Sequence, residues 1–237
     1  PGDYPIYRGR NIYQFTHNSN YYNVDSPDYW GVSEEAGEES AKAVIRDQEL
    51  RSLEREGHLE IDGHTVAFEN GENFPRSEVP MPFEEYRIAY RDIATTNNER
   101  VIIATVLPPD VLTVHTLHTI HPFSWKDTDP RSISNTPGSL FDPRYTPKEM
   151  FYLVGIFNSI PFDYLLRSKI TNHIPDYLIK ESQAPLLSST HELAEKISTR
   201  AAQLNCYGSP FDQLEDDLNV TSIEDTEHRA EAQAELD

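Results

Sequence analysis

The spacing of apolar and polar residues changes character along this chain of 237 residues. Residues 4–15, rich in Tyr and Ile, read as a strand interrupted at Gly9, and a polar stretch follows to about Ser40. Ala41, Val44, Ile45 and Leu53 then recur near helical spacing, which predicts a helix over 41–56, and Gly57 stands where such a helix ends. Residues 58–68 alternate about Asp62-Gly63. That pattern predicts a hairpin, because glycine accepts the positive φ of a type I′ turn. A link containing Pro75, Pro80 and Pro82 leads to two β-rich runs, 86–93 and 100–107, around the polar Thr96-Asn97-Asn98-Glu99, a second hairpin. Alternation over 111–120 predicts a third strand closed by Pro122, and the Asp-Pro and Thr-Pro pairs of 122–145 predict a long surface loop.

Beyond residue 145 the pattern turns helical. Thr146-Pro147-Lys148-Glu149 places an N-cap threonine, a proline at the first helical position and a glutamate three residues after the cap, a capping box that opens a helix over 147–157. Asn158-Ser159-Ile160-Pro161 ends it and starts another through Lys169, and 177–180 reads as a short strand. Ser189-Thr190-His191-Glu192 is a second capping box, for a helix through about Leu204 that ends at Gly208. A β-rich N-terminal half with hairpins, followed by a helical C-terminal half without βαβ alternation, is an α+β fold. The expected organisation is one domain over 1–210 (β-rich 1–125, loop 122–145, helical 146–208) and an acidic, disordered tail over 211–237.

Charge changes this picture in one respect. The chain has 40 acidic against 20 basic side chains, a net charge of −20, and 14 of the 20 basic residues are arginine. An acid-rich, lysine-poor composition suits a halophilic protein with an acidic surface, since in near-saturated salt the Debye length falls below about 3 Å and self-repulsion costs little. Melting temperature is accordingly expected to climb from dilute to molar KCl in thermal denaturation; indifference to salt would remove the halophile premise. The acid is unevenly spread: residues 25–39 and the tail are strongly acidic, whereas Arg8 and Arg10, Arg87 and Arg91, and Arg167 and Lys169 form locally basic stretches. No apolar run reaches the roughly 20 residues of a membrane span, and Pro1-Gly2-Asp3-Tyr4 is not a signal sequence. The reading is a cytoplasmic piece of something longer, with no membrane partner.

Specific chemistry is sparse. His115, His118 and His121 suggest a metal, but on a strand His115 and His121 lie about 20 Å apart and His118 points the other way. The chain has no G-x-S-x-G elbow, P-loop or G-x-G-x-x-G motif, and its single cysteine, Cys206, reads as buried. The second hairpin is more informative: Arg87, Ala89 and Arg91 share one face of its first strand, and Tyr86, Ile88 and Tyr90 share the other. Two guanidiniums about 13 Å apart on a rigid strand suit a polyanion, with Asn97 and Asn98 at the adjoining turn; the alternative is an ordinary amphipathic strand with solvated arginines.

At these residues a family likeness emerges. Pro5-Ile6-Tyr7-Arg8-Gly9-Arg10-Asn11-Ile12-Tyr13-Gln14-Phe15, Tyr86-Arg87-Ile88-Ala89-Tyr90-Arg91-Asp92-Ile93-Ala94 with Thr96-Asn97-Asn98-Glu99-Arg100, Ile103-Ala104-Thr105-Val106-Leu107-Pro108-Pro109 and Leu153-Val154-Gly155-Ile156-Phe157-Asn158-Ser159, continuing through Phe162-Asp163-Tyr164-Leu165-Leu166-Arg167, stand in this order. Together they resemble the C-terminal target-recognition region of adenine-specific DNA methyltransferases of type IIG restriction-modification and BREX-type phage-defence systems, over most of residues 4–208. The resemblance implies a non-catalytic target recognition domain that grips double-stranded DNA, beside an upstream methyltransferase domain of the same chain that binds S-adenosylmethionine, and it leaves open a nuclease activity in the parent protein. It also implies that Asn158 caps backbone groups and touches no base. The chain has no Asn/Asp-Pro-Pro-Tyr/Phe tetrapeptide, since Leu107-Pro108-Pro109-Asp110 fails at both ends, and no glycine-rich cofactor loop. No cofactor is therefore expected in this segment. Arg8, Arg10, Arg87, Arg91, Asn97, Asn98, Arg100, Arg167 and Lys169 are the DNA-binding candidates. The competing reading is an acidic protein-interaction module or DNA mimic; arginines clustered on one surface favour DNA binding, and acids on every surface favour the rival.

Overall fold

The central strand carries the second hairpin's arginines, and both of its faces are buried. The computed structural model describes residues 4–17, 29–30, 35–57, 59–62, 65–68, 73–74, 79–125, 141–185, 187–188 and 190–237. In chain order the first half contains β1 (Pro5–Tyr7), β2 (Ile12–Tyr13), β3 (Thr16–His17), β4 (Tyr29–Trp30), α1 (Glu35–Arg55), β5 (Leu59–Asp62), β6 (Thr65–Phe68), β7 (Arg87–Arg91), β8 (Ala104–Leu107), β9 (Leu112–Thr113), β10 (Leu117–Thr119) and β11 (Phe123–Trp125). After β12 (Phe141–Pro143) come the helices α2 (Pro147–Asn158), α3 (Ile160–Arg167), α4 (Asp176–Glu181), α5 (Glu192–Asn205), α6 (Asp212–Leu218) and α7 (Thr226–Leu236). The fold is α+β, as the change of period predicts.

The sheet β10–β7–β8 is antiparallel throughout, with Ile88 opposite Val106 and His118 opposite Tyr90. Ile88 and Tyr90 face a core built with Phe151, Val154 and Phe157 of α2 and Ala201 and Leu204 of α5. Gly155 allows those two helices to close up: a Cβ there would stand 2.5 Å from Ile197 Cγ2. Ala89, on the opposite face, packs with Tyr7, Ile12, Leu107 and Leu117. A smaller core joins Leu50 and Leu53 of α1 to Phe74 and Val79. The capping box at Thr146 forms as predicted, with its side chain accepting from the Glu149 N–H.

The outer edge of β8 is closed by side chains. Residues 103, 105 and 107 pair toward β7, so the backbone groups of Ala104 and Val106 point the other way. Asn158 Oδ1 accepts from Ala104 N–H and its Nδ2 donates to Ala104 O, both at 2.9 Å. Asn205 does the same at Val106, at 2.8 and 3.2 Å. Two carboxamides from α2 and α5 thus replace a fourth strand, which satisfies an edge that would otherwise carry unpaired groups in the core.

Several elements differ from the sequence reading. The expected strand 111–120 is two short strands: β9 pairs in parallel with β1, a turn intervenes, and β10 pairs with β7. The second hairpin strand begins only at Ala104, because Asp163 Oδ1 takes the N–H groups of Val101 and Ile102 at 2.5 and 3.2 Å. The loop over 122–145 is bounded by the β11–β12 pair, and residues 126–140 lie outside those described. The first hairpin has its register, Asp62 opposite Thr65, although Gly63 also lies outside the described residues. Residues 177–180 fall in α4, not in a strand; a run that short has no period to separate the two. The N-cap of α5 is His191, whose Nδ1 accepts from Leu193 N–H at 3.1 Å.

The largest departure is the tail. Residues 212–236 form α6 and α7 and return to the N-terminal segment. Phe211, Leu214 and Ala232 join the main core. Arg229, 2% exposed, donates to Ile223 O at 2.7 Å and to Thr16 Oγ1 at 3.3 Å. Asp225 caps α7 by accepting from Glu227 and His228 N–H. The abundance of acid conceals a sparse apolar set, Phe211, Leu214, Ile223 and Ala232, that needs a core made elsewhere in the chain before it can be buried.

Candidate nucleic-acid interface

The candidate residues differ in burial and in position along the sheet. Arg87 is 2% exposed and donates to the carbonyls of Phe83 at 3.3 Å and of Val111. Burial pushes its guanidinium down to about 10, so it is still a cation at neutral pH. Arg91 donates to the carbonyls of Gly9 and Ile12 and lies 6.0 Å from the centre of the Tyr13 ring. The arginine face of β7 is thus neither a solvated face nor an open grip: the two guanidiniums fasten other segments over the strand, and Arg87 is not placed to meet DNA. Arg100 pairs with Asp237 at 2.6 Å and donates to Asn158 O at 3.4 Å. Arg167 donates to the carbonyls of Thr96, Asn98 and Glu99 at 2.6, 2.9 and 3.0 Å and pairs with Asp163 at 2.7 Å, which fixes the tip of the β7–β8 hairpin against α3.

The remaining candidates gather at the C-terminal end of β7. A concavity of about 300 Å³ is lined by Arg8, Gly9, Arg10, Arg91, Ile93 and Thr116. Gly9 makes it possible, because a Cβ at this position would stand 2.9 Å from Thr116 O. Ile93, 54% exposed, forms one wall and bridges in antiparallel register to His173. Ala94 N–H donates to Asn172 O at 3.2 Å, so the segment after α3, with exposed Lys169, is drawn to the same end. From Ala94 the chain runs directly into the hairpin tip. There Asn97 is exposed and Asn98 Oδ1 accepts from Thr95 N–H at 3.0 Å, a local turn bond that uses its carboxamide oxygen. Tyr164 and Tyr177, 77% and 59% exposed, lie on α3 and α4 beside these segments in sequence.

Arg8, Arg10, Asn97, Asn98 and Lys169 are therefore brought to one end of the sheet, while Arg87, Arg100 and Arg167 are committed to internal partners. Ile93, Thr116 and His173 were missed as site residues. Ile93 reads as an ordinary strand position, and nothing local in the sequence associates His173 with β7. The three histidines first considered together separate: His115 is exposed, His118 faces Asp92 and Asp176, and His121 pairs with Glu49 at 2.7 Å. No group of three or more possible metal ligands occurs among the described residues. Cys206 is buried, which pushes its thiol well above the ordinary value.

Acid is concentrated elsewhere. Two concavities of about 630 and 420 Å³ flank the α5–α7 contact, and Glu192, Glu195, Glu231 and Glu235 line them together with Lys196 and Arg200, which pair with Glu192 and Glu235. The helices lie on the Tyr90 face of the sheet and the Gly9 segment on the Ala89 face, so the arginine-lined concavity and the acidic helices occupy opposite sides. No described helix is long and apolar enough to cross a membrane. The chain matches no protein-family model, no curated protein and no solved structure.

Proposed function

We propose that this chain is a non-catalytic DNA target-recognition domain of an S-adenosylmethionine-dependent adenine methyltransferase in a restriction-modification or phage-defence system, and that it meets double-stranded DNA through the end of β7. One observation carries the reading: on a chain of net charge −20, a concavity has three arginines and no acid among its six described lining residues. A local cluster of guanidiniums at a concave end can steer a polyanion there despite the overall charge. The hairpin tip with Asn97 and the exposed side chains of Ile93 and Lys169 add carboxamide, apolar and cationic groups suited to base edges and phosphates. The cytoplasmic location, the upstream methyltransferase domain as partner and the halophilic setting belong to the same proposal. The acidic α5–α7 side supports a second reading, a protein-interaction module or DNA mimic that docks through that side.

Double charge reversal, Arg8→Glu with Arg10→Glu, tests the choice. Fluorescence anisotropy on a pool of random-sequence duplexes is expected to show at least tenfold weaker binding. The log–log salt slope should shrink by roughly 1.8 if both groups meet phosphate, at about 0.9 per contact. Unchanged affinity in a folded double variant refutes the DNA reading, and loss of binding to a protein partner on reversing Glu192 and Glu195 would favour the second.

A further inference from the structure

The segment carrying His173 and Asp176 is held against the sheet by a string of ionisable groups. His118 of β10 stacks on Tyr90 with ring centroids 5.4 Å apart. Both of its ring nitrogens face carboxylates: Nδ1 lies 2.8 Å from Asp176 Oδ1, and Nε2 lies 3.5 Å from Asp92 Oδ1. Asp92 Oδ2 is also 2.6 Å from His173 Nδ1, and the Tyr90 hydroxyl donates to Asp176 Oδ1 at 2.5 Å. Burial pushes the Asp176 carboxyl up, but the Tyr90 hydroxyl and the His118 ring outweigh it and hold the group below the usual carboxylate range. Lys180, one turn further along α4, adds to that effect. The same junction has two backbone bonds, Ile174 N–H to Asp92 O at 2.8 Å and Ala94 N–H to Asn172 O at 3.2 Å.

A neutral imidazole has one N–H and one lone pair, so it can donate to one of two flanking carboxylates and must turn a lone pair toward the other; the imidazolium donates to both. We propose that His118 is a proton-dependent clasp: charged, it ties Asp92 of the sheet end to Asp176 of α4, and on losing a proton it releases one of them and loosens residues 172–177. Imidazole side chains as a class change charge between about pH 5 and 8, which sets the pH values of the test below. Its regulatory consequence rests on the DNA reading above: the proposed interface includes this segment, so DNA affinity falls as pH rises. The clasp itself does not depend on that reading.

Native-state amide exchange separates the two. Protection at Ile174 and Ala94, corrected for intrinsic exchange, is expected to fall at least fivefold from pH 5.5 to 8.5, with Val106 in the sheet as a steady reference. His118→Phe keeps the stacked ring and removes the charge; it should show the low protection at both pH values. Asp176→Asn serves the same purpose should the first variant not fold. A wild-type step smaller than fivefold, or a step that persists in the folded variant and so belongs to His173, overturns the clasp. DNA anisotropy on the same samples is expected to weaken in parallel. An exchange step seen in a protein whose DNA binding ignores Arg8→Glu and Arg10→Glu would leave the clasp standing and remove the DNA reading.

Discussion

Asn158→Ala is expected to destabilise the fold by about 3 kcal/mol, through two bonds no other side chain supplies. The residue is 2% exposed and meets both the N–H and the C=O of Ala104 at 2.9 Å. Truncation leaves the Ala104 N–H in a dry site without a partner, while its carbonyl keeps the Phe15 N–H at 3.0 Å. A stranded buried backbone group costs about 1–3 kcal/mol, and the space left by the side chain adds to that. For a chain of this size the loss corresponds to a fall in Tm on the order of 10 °C. Asn158→Asp separates the two contributions, because it nearly conserves volume yet offers no donor to Ala104 O and buries a charge. It is expected to be at least as damaging as the alanine. Calorimetric melts of both variants check the argument, and a loss below 1 kcal/mol for either would contradict it.

Acidification is expected to act through His17. The ring is buried against Tyr207 and Phe211, with centroids 5.1 and 4.9 Å away, and neither ring nitrogen has a hydrogen-bond partner among the described residues. Burial lowers its proton affinity to about 4, against 6.5 for an unperturbed imidazole. Above pH 6.5 the ring is neutral in both folded and unfolded chains and has no pH-dependent effect on stability. Below that value the unfolded chain takes up the proton first. Stability then falls by roughly 1.4 kcal/mol per pH unit until the folded ring also protonates near pH 4, about 3 kcal/mol in all. His17→Phe keeps an aromatic ring against Tyr207 and Phe211 and removes the titration. Urea unfolding at pH 7 and pH 4 is therefore expected to show the variant gaining about 3 kcal/mol on the wild type as pH falls. The comparison cancels the many carboxylates that titrate in the same range in both proteins. A wild-type-to-variant difference independent of pH would mean that the ring already finds a proton acceptor in the fold.

These residues show where local reading succeeds. Thr146 with Glu149 predicts the start of α2 because a capping box is made within four consecutive residues. The antiparallel pairing of β7 with β8 follows from two β-rich runs around a polar turn, again a relation between neighbours. The expectation that Asn158 serves backbone groups, implied by the family resemblance, agrees with its bonds to Ala104; its partner strand lies 54 residues away. The tail departs from its expected disorder because its charge is visible in the sequence, whereas the core that receives Phe211 and Ala232 exists only once α2, α5 and the sheet have come together.

The change from a β-rich to a helical half, the β7–β8 hairpin, the start of α2 and the acidic stretches are legible in the chain, because each depends on residues within a turn or two of one another. Tertiary structure alone decided what the arginines do. Arg8, Arg10, Arg87 and Arg91 are chemically alike and sit on similar β-rich stretches. Whether a guanidinium lies at a concave surface or is buried on distant backbone carbonyls depends on which segment covers it. Phe83 and Val111 cover Arg87, Gly9 and Ile12 receive Arg91, and the same close approach at Gly9 leaves Arg8 and Arg10 on the rim of the concavity. Such pairings between Arg91 and Gly9, 82 residues apart, leave no periodic trace in the chain, because the acceptor is a backbone carbonyl that every residue possesses.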